Sequence, residues 1–150
     1  MAFRHERFVP ATLTILAALF LAHPAGAVEV QDLKGFEGIF GRYAPGGDCK
    51  RQPQILVDAT GLTFEVGGKS EPVSNPEFAA SYGGRDYVGS TIWMFPFRLV
   101  DGYSILMAFN SDEKVGVLSV TGHDEGYPGG PKLSPRNDAL VKGSPYARCK

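Results

Sequence analysis

Glycine and proline limit what this chain can fold into. Of its 19 glycines and 11 prolines, all but Gly26, Pro10 and Pro24 lie after Ala27. They are spread along the chain rather than gathered into one tract. Both residues oppose a continuing helix, proline more strongly. Short runs rich in β-branched and aromatic residues between such breaks read as strands and turns. No internal repeat and no linker splits the chain, so residues 28–150 predict one β-rich domain.

Residues 1–27 have a different character. Arg4, His5 and Arg7 form a basic start, and Ala11–Ala22 is an uncharged apolar run. Ala25-Gly26-Ala27 supplies the small residues that a signal peptidase accepts. The pattern predicts a secretory leader cleaved before Val28. The apolar run is shorter than the roughly 20 residues a spanning helix needs, and no later stretch is long enough. No cysteine stands at the cleavage point, which argues against a lipid anchor. The expected compartment is periplasmic or secreted, with no integral membrane segment after cleavage.

Charge narrows the partners. Removing Arg4, Arg7 and Glu6 with the leader leaves 13 basic against 15 acidic side chains, a net charge near −2. Lysine and arginine form no run, so nucleic acid is not an expected partner. Only Cys49 and Cys149 are present. An even pair in an exported chain predicts a disulfide, and without a Cys-x-x-Cys spacing its role is structural.

The strands follow from local pattern. Glu37–Ala44 predicts the first, with Gly41 as a bend or bulge. Gln54–Asp58 and the alternating Leu62–Val66 predict a hairpin joined at Ala59-Thr60-Gly61. Gly67-Gly68 ends that strand. Asn75-Pro76-Glu77 predicts either a short helix start or a loop. Tyr87–Val100 and Tyr103–Phe109 predict a hairpin about an Asp101-Gly102 turn. That turn sets Phe97 opposite Leu106, Phe95 opposite Ala108, Pro96 opposite Met107 and Arg98 opposite Ile105. Pro96 cannot donate to a ladder and marks a bulge or an edge. Asn110–Lys114 reads as a turn, Val115–Thr121 as a strand and Gly122–Pro135 as a long loop. Asn137–Lys142 reads as a helical turn or a last short strand. The expected fold is all-β: a small antiparallel barrel or sandwich of about six or seven strands with at most one or two short helical turns.

Signals for chemistry are sparse. His123 is the only histidine after the leader, so a zinc site with several His or Cys ligands is not expected. His123, Asp124 and Glu125 lie in a Gly/Pro-rich loop; a solvated polar loop, a weak metal site or an enzyme centre all fit that pattern. No nucleophile elbow, phosphate-binding loop or dinucleotide fingerprint appears, so neither a catalytic residue nor a cofactor is expected. The aromatic stretch is more informative. Trp93, Phe95 and Phe97 read as core packing. Tyr82 and Tyr87 flank Gly83-Gly84 and Arg85-Asp86, and Tyr and Arg are favoured at interface hot spots.

The layout from Cys49 to Phe109 resembles the small envelope inhibitors of c-type lysozyme. That family is an antiparallel β-barrel that begins near a cysteine and carries a Ser-Gly-x-x-Tyr motif before an aromatic strand. Here the corresponding features are Cys49, the Ile55–Val66 hairpin, Ser81-Tyr82-Gly83-Gly84-Arg85-Asp86-Tyr87, Trp93 and Ile105–Phe109. Gly84 and Tyr87 match the motif; its serine falls on Gly83, with Ser81 two places early. Arg98 is the nearest candidate for the basic residue after the aromatic strand. The resemblance implies a non-enzymatic protein whose Ser81–Tyr87 loop, with Arg98, blocks the cleft of a lysozyme-like glycosidase. Two other classes are compatible with the residues. One is a carrier of a small molecule or lipid held between strands near Trp93, Phe95 and Met107. The other is an enzyme centred on His123, Asp124 and Glu125.

Overall fold

A computed structural model describes residues 27–73, 75–80, 89–99, 102–122 and 132–150. The predicted hairpin is present in the first half. Strands β3 (Gln54–Asp58) and β4 (Gly61–Val66) pair antiparallel with Asp58 opposite Gly61. The Asp58 carboxylate accepts from the Thr60 amide at 2.8 Å and the Thr60 hydroxyl at 2.6 Å, closing the turn with a side chain. Leu62 and Phe64 point into the core while Thr63 and Glu65 do not, as the alternation requires.

Gly67-Gly68 ends β4 as expected and also turns the chain into a further strand. Both glycines have positive φ, +59° and +78°, the combination a two-residue type I′ hairpin turn demands. Strand β5 (Lys69–Val73) therefore returns along β4, Val66 opposite Lys69. It is an edge strand, with exposed Lys69, Ser70 and Pro72 of the kind that discourages further pairing. Upstream, the predicted Glu37–Ala44 strand divides. Glu37–Ile39 is a 3-10 turn, and strand β2 (Gly41–Pro45) begins at Gly41.

The second half contains β6 (Glu77–Ala80), β7 (Ile92–Phe95), β10 (Ile105–Phe109) and β11 (Val117–Gly122), with the two-residue β1 (Val28–Glu29) outside β6. A separate ribbon pairs β8 (Arg98–Leu99) with β9 (Gly102–Tyr103). Where Asn75-Pro76-Glu77 suggested a helix start or a loop, Asn75 and Pro76 lead directly into strand β6 at Glu77. Asn75 takes the left-handed conformation, φ +50°, which an N-cap does not. Glu77–Ala80 pairs with β1 on one side and β7 on the other, and long-range pairing overrides the local start signal.

The aromatic hairpin shifts by one step of the pleat. Trp93, not Phe95, lies opposite Ala108, and Gly102 lies opposite Leu99 rather than at the centre of the turn. An even shift leaves the two faces unchanged. Met94, Ile105, Met107 and Phe109 are buried on the inner face. β7 is already paired to β6 and β10 to β11, so the middle of the sheet sets the register. The ladder breaks at Pro96-Phe97, where proline removes a donor.

Helix α1 (Pro135–Gly143) settles the ambiguous Asn137–Lys142 stretch as helical. Ser134 caps it, accepting from the Asn137 amide at 3.2 Å, and proline follows the cap. The helix packs against β11 and β4. Arg136 pairs with Glu71 of β5 and lies 4.3 Å over the Phe97 ring, which itself packs edge-on to Phe64. Leu140 enters the core.

The last strand, β12 (Tyr146–Arg148), completes a ten-stranded antiparallel sheet of half-barrel form in the order β1-β6-β7-β10-β11-β12-β2-β3-β4-β5. The fold is thus mainly β, with more strands than the six or seven expected. The additional strands are short ladders that carry no period of their own. Next to β12, Cys149 is bonded to Cys49 across 5.9 Å between Cα atoms and 100 residues of sequence, as predicted. Closing a loop of that size contributes up to about 4–5 kcal/mol in the chain-entropy model. No described helix is long and apolar enough to cross a membrane.

Gly143 joins α1 to β12 through a close approach. A Cβ there would sit 2.5 Å from the Tyr146 hydroxyl and 2.9 Å from Pro53 Cγ. Tyr146 is fully buried, so it has little room to yield. Gly143→Ala is expected to destabilise the chain by about 1–3 kcal/mol, read as a lower urea midpoint.

Candidate functional site

In sequence, Ser81–Tyr87 falls between strands β6 and β7. The last pair of these strands is Ala80 with Ile92, so residues 81–91 connect the two strands. Ser81, Tyr82, Gly83, Gly84, Arg85 and Tyr87 lie outside the described residues. Arg98 places its backbone in β8 opposite Tyr103; its side chain lies outside the described part. His123, Asp124 and Glu125 follow the end of β11 and also lie outside it. Among the described residues no group of three or more His, Cys, Asp or Glu side chains is placed to hold a metal ion.

The returning stem of the connection is tied down by the next loop along the sheet end. Glu113 accepts from the Ser90 amide at 2.9 Å and from the Ser90 hydroxyl with the same oxygen. The Thr91 hydroxyl lies 3.1 Å from the other Glu113 oxygen and 2.9 Å from the Asn110 carbonyl, and its one proton serves one of them at a time. Asn110 Nδ2 donates to the Ser90 carbonyl at 2.9 Å, while its Oδ1 accepts from the Gly116 amide at 3.0 Å. Thr91 and Asn110 are buried.

This loop adopts a conformation that costs free energy. Asn110, Asp112 and Glu113 all have positive φ, +53°, +54° and +59°. Each such residue costs of order 1 kcal/mol and persists only where the surroundings over-determine it. Here the surroundings are the Ser90–Thr91 stem and the Gly116 amide. Asn and Asp tolerate this region better than other residues, so Asn110-Ser-Asp carried a signal for a left-handed turn. That Glu113 would reach across to Ser90 had no sequence signal, because the two are joined only through the β7–β10 pairing.

The Ser90 hydroxyl, first among several hydrogen bonds, holds the Glu113 carboxyl below the usual glutamate range, against a smaller desolvation effect. The group is therefore charged at neutral pH and acts as an anionic acceptor for three donors.

The outer face of the same hairpin carries Trp93. Expected in the core, it is 41% exposed. Its inward neighbours are Ile92 and Met94, and it points the other way, as the pleat dictates. Across the strands it lies opposite Ala79 and Ala108, and Ala108 lies opposite Ser119. These small side chains leave the indole uncovered. Met107 is fully buried on the inner face, so the structure does not bring Trp93 and Met107 to a common cavity. Phe97 does pack inward, against Phe64.

Two other polar clusters tie strands and loops together. Arg42 donates to Glu65 at 2.6 Å and to Gln54 at 2.7 Å, and Gln54 in turn donates to the Cys49 and Arg51 carbonyls. Arg148 donates to the Tyr43 hydroxyl, which donates to the Ile39 carbonyl at 2.8 Å. Burial raises the Tyr43 hydroxyl pKa, partly offset by Arg148.

Glu113→Gln is expected to keep the fold and loosen the stem, seen as faster exchange of the Ser90 amide. In the unchanged chain the same loosening follows acidification. A carboxyl with a lowered folded-state pKa contributes fully above its ordinary value of 4.5 and loses that contribution as pH falls through the lowered value. Ser90 exchange, corrected for its intrinsic pH dependence, should therefore be flat from neutral pH down to the ordinary value of 4.5 and rise as the pH falls further below it. Comparison with protein-family models, curated protein sequences and solved structures found no match to this chain.

Proposed function

We propose that this chain is an exported, non-enzymatic binding protein that works as a lysozyme-inhibitor-like cleft blocker. In this reading Ser81–Tyr87 is the inserting loop. Arg85 pairs with acidic groups of a glycosidase cleft, and Tyr82 and Tyr87 supply contact area at low entropic cost. Arg98 contributes a second cation. The protein uses no cofactor, and its working compartment is the periplasm or the exterior.

The observation that carries this reading is the clamped stem. The residues leading into and out of the loop are held by the Ala80–Ile92 pair and by Glu113 and Asn110. A stem held on both sides lowers the ordering cost that a loop pays on binding. The leader-like residues 1–27 and the Cys49–Cys149 bond support an oxidising compartment. Trp93, exposed one residue past the first pair of the hairpin, extends the contact surface on the outer face.

The chain beginning at Val28, added in micromolar excess, is expected to slow cell-wall hydrolysis by a c-type lysozyme. Arg85→Ala and Tyr87→Ala should each weaken that inhibition by about tenfold or more, as truncation of a hot-spot residue does. Lysozyme activity that stays unchanged by the native chain sinks the reading.

A further inference from the structure

The strand order contains one seam. Without β12, the ten-stranded sheet falls into two separate sheets, β2–β5 on one side and β1, β6, β7, β10 and β11 on the other. β12 joins them with three residues. Ala147 lies opposite Val117 of β11 and Ala44 of β2. The ladder is extended at its end by the Arg148 amide donating to the Gly116 carbonyl at 2.8 Å, and the Cys149 amide donating to the Arg42 carbonyl at 2.7 Å. The covalent bond to Cys49 begins at the very next residue after the strand.

That bond is accessible. Cys49 is exposed and lines an open depression of about 480 Å³, while Cys149 is half-buried. Lys50, Arg148 and Lys150 line it against a single acid, Asp48. A cationic surround favours approach of an attacking thiolate and stabilises the thiolate that leaves.

We propose that Cys49–Cys149 is a redox clasp, and that thiol–disulfide exchange in this depression releases β12 from the seam. The co-reactant is a dithiol, either a small molecule or a thiol oxidoreductase. One of its thiolates attacks Cys49 Sγ, the Cys49–Cys149 bond breaks, and Cys149 leaves as a thiolate that takes up a proton. The second thiol of the reagent then attacks the mixed disulfide. Cys49 is released as a thiol and the reagent ends as a disulfide, two electrons poorer. The protein side chains gain two electrons and two protons. The oxidised chain is the joined sheet; the reduced chain has an open edge on β11 and another on β2. The inference does not depend on the partner of the 81–91 connection.

Hydrogen exchange on the full oxidised chain, before and after dithiothreitol, tests it. Reduction is expected to speed exchange at Arg148 and Cys149 by about tenfold or more while the β3–β4 amides keep their protection, the pattern of a local opening. Equal acceleration throughout the sheet, or none, overturns the proposal. Cys149→Ser cannot close the clasp, so it should show the open pattern with or without reductant; protection at Arg148 equal to that of the oxidised chain overturns it. If Cys149→Ser does not fold, the reductant titration on the native chain decides alone. Lys50→Gln combined with Lys150→Gln should slow reduction by dithiothreitol several-fold, and an unchanged rate removes the electrostatic part of the mechanism.

Discussion

The fold depends on backbone hydrogen bonds to a strand of three residues. Tyr146–Arg148 satisfies donors and acceptors on β11 and on β2 at once, and no other segment does so among the described residues. An unpaired edge in that position would leave buried polar backbone groups without partners, which is costly. Side chains reinforce the strand at both of its ends. The Tyr146 hydroxyl donates to the Leu140 carbonyl at 2.6 Å, tying the strand to α1. Arg148 reaches Tyr43 and the Gly38 carbonyl, tying it to the segment before β2. The disulfide then limits how far the strand can stray.

The same logic explains how the sheet ends are ordered. A half-barrel with many short strands has many connections, and each leaves polar backbone groups to satisfy. At one end Asp58 closes a turn with its carboxylate, and at another Gln54 gathers two carbonyls of the Cys49–Arg51 loop. The Glu113 and Asn110 network is the most developed case. Left-handed Asn110 and Glu113 are held there because their side chains bond Ser90, Thr91 and the Gly116 amide. The network also holds Ser90 and Thr91, the residues through which the connection from β6 enters β7.

Much of this was legible locally. Leu62–Val66 reads as a half-buried strand because alternation matches the pleat. Asn137–Lys142 reads as either a helical turn or a short strand, and the Ser134 cap with Pro135 behind it is what makes it helical. Cys49 and Cys149 read as a pair because exported chains seldom leave two thiols free. The failures share one cause. Asn75-Pro76-Glu77 resembles a helix start, yet its strand is imposed by β1 and β7. Asp101-Gly102 is a strong turn signal, yet the register comes from Met94 opposite Met107 in the interior of the sheet. Trp93 has the composition of a core residue, yet its place in the pleat turns it outward.

By itself the sequence determined the class of the fold: short strands broken by turns, and a cysteine pair closing a long loop. Those properties depend on neighbours close along the chain or on composition alone. Only the tertiary structure decided which strands meet, that residues 146–148 join two half-sheets, that Glu113 anchors Ser90 and that the indole of Trp93 faces solvent. They rest on contacts such as Met94–Met107, Ser90–Glu113 and Gly38–Arg148, 13, 23 and 110 positions apart, where chain-local preferences of a few tenths of a kcal/mol are outweighed by hydrogen-bond and packing terms of about 1 kcal/mol each.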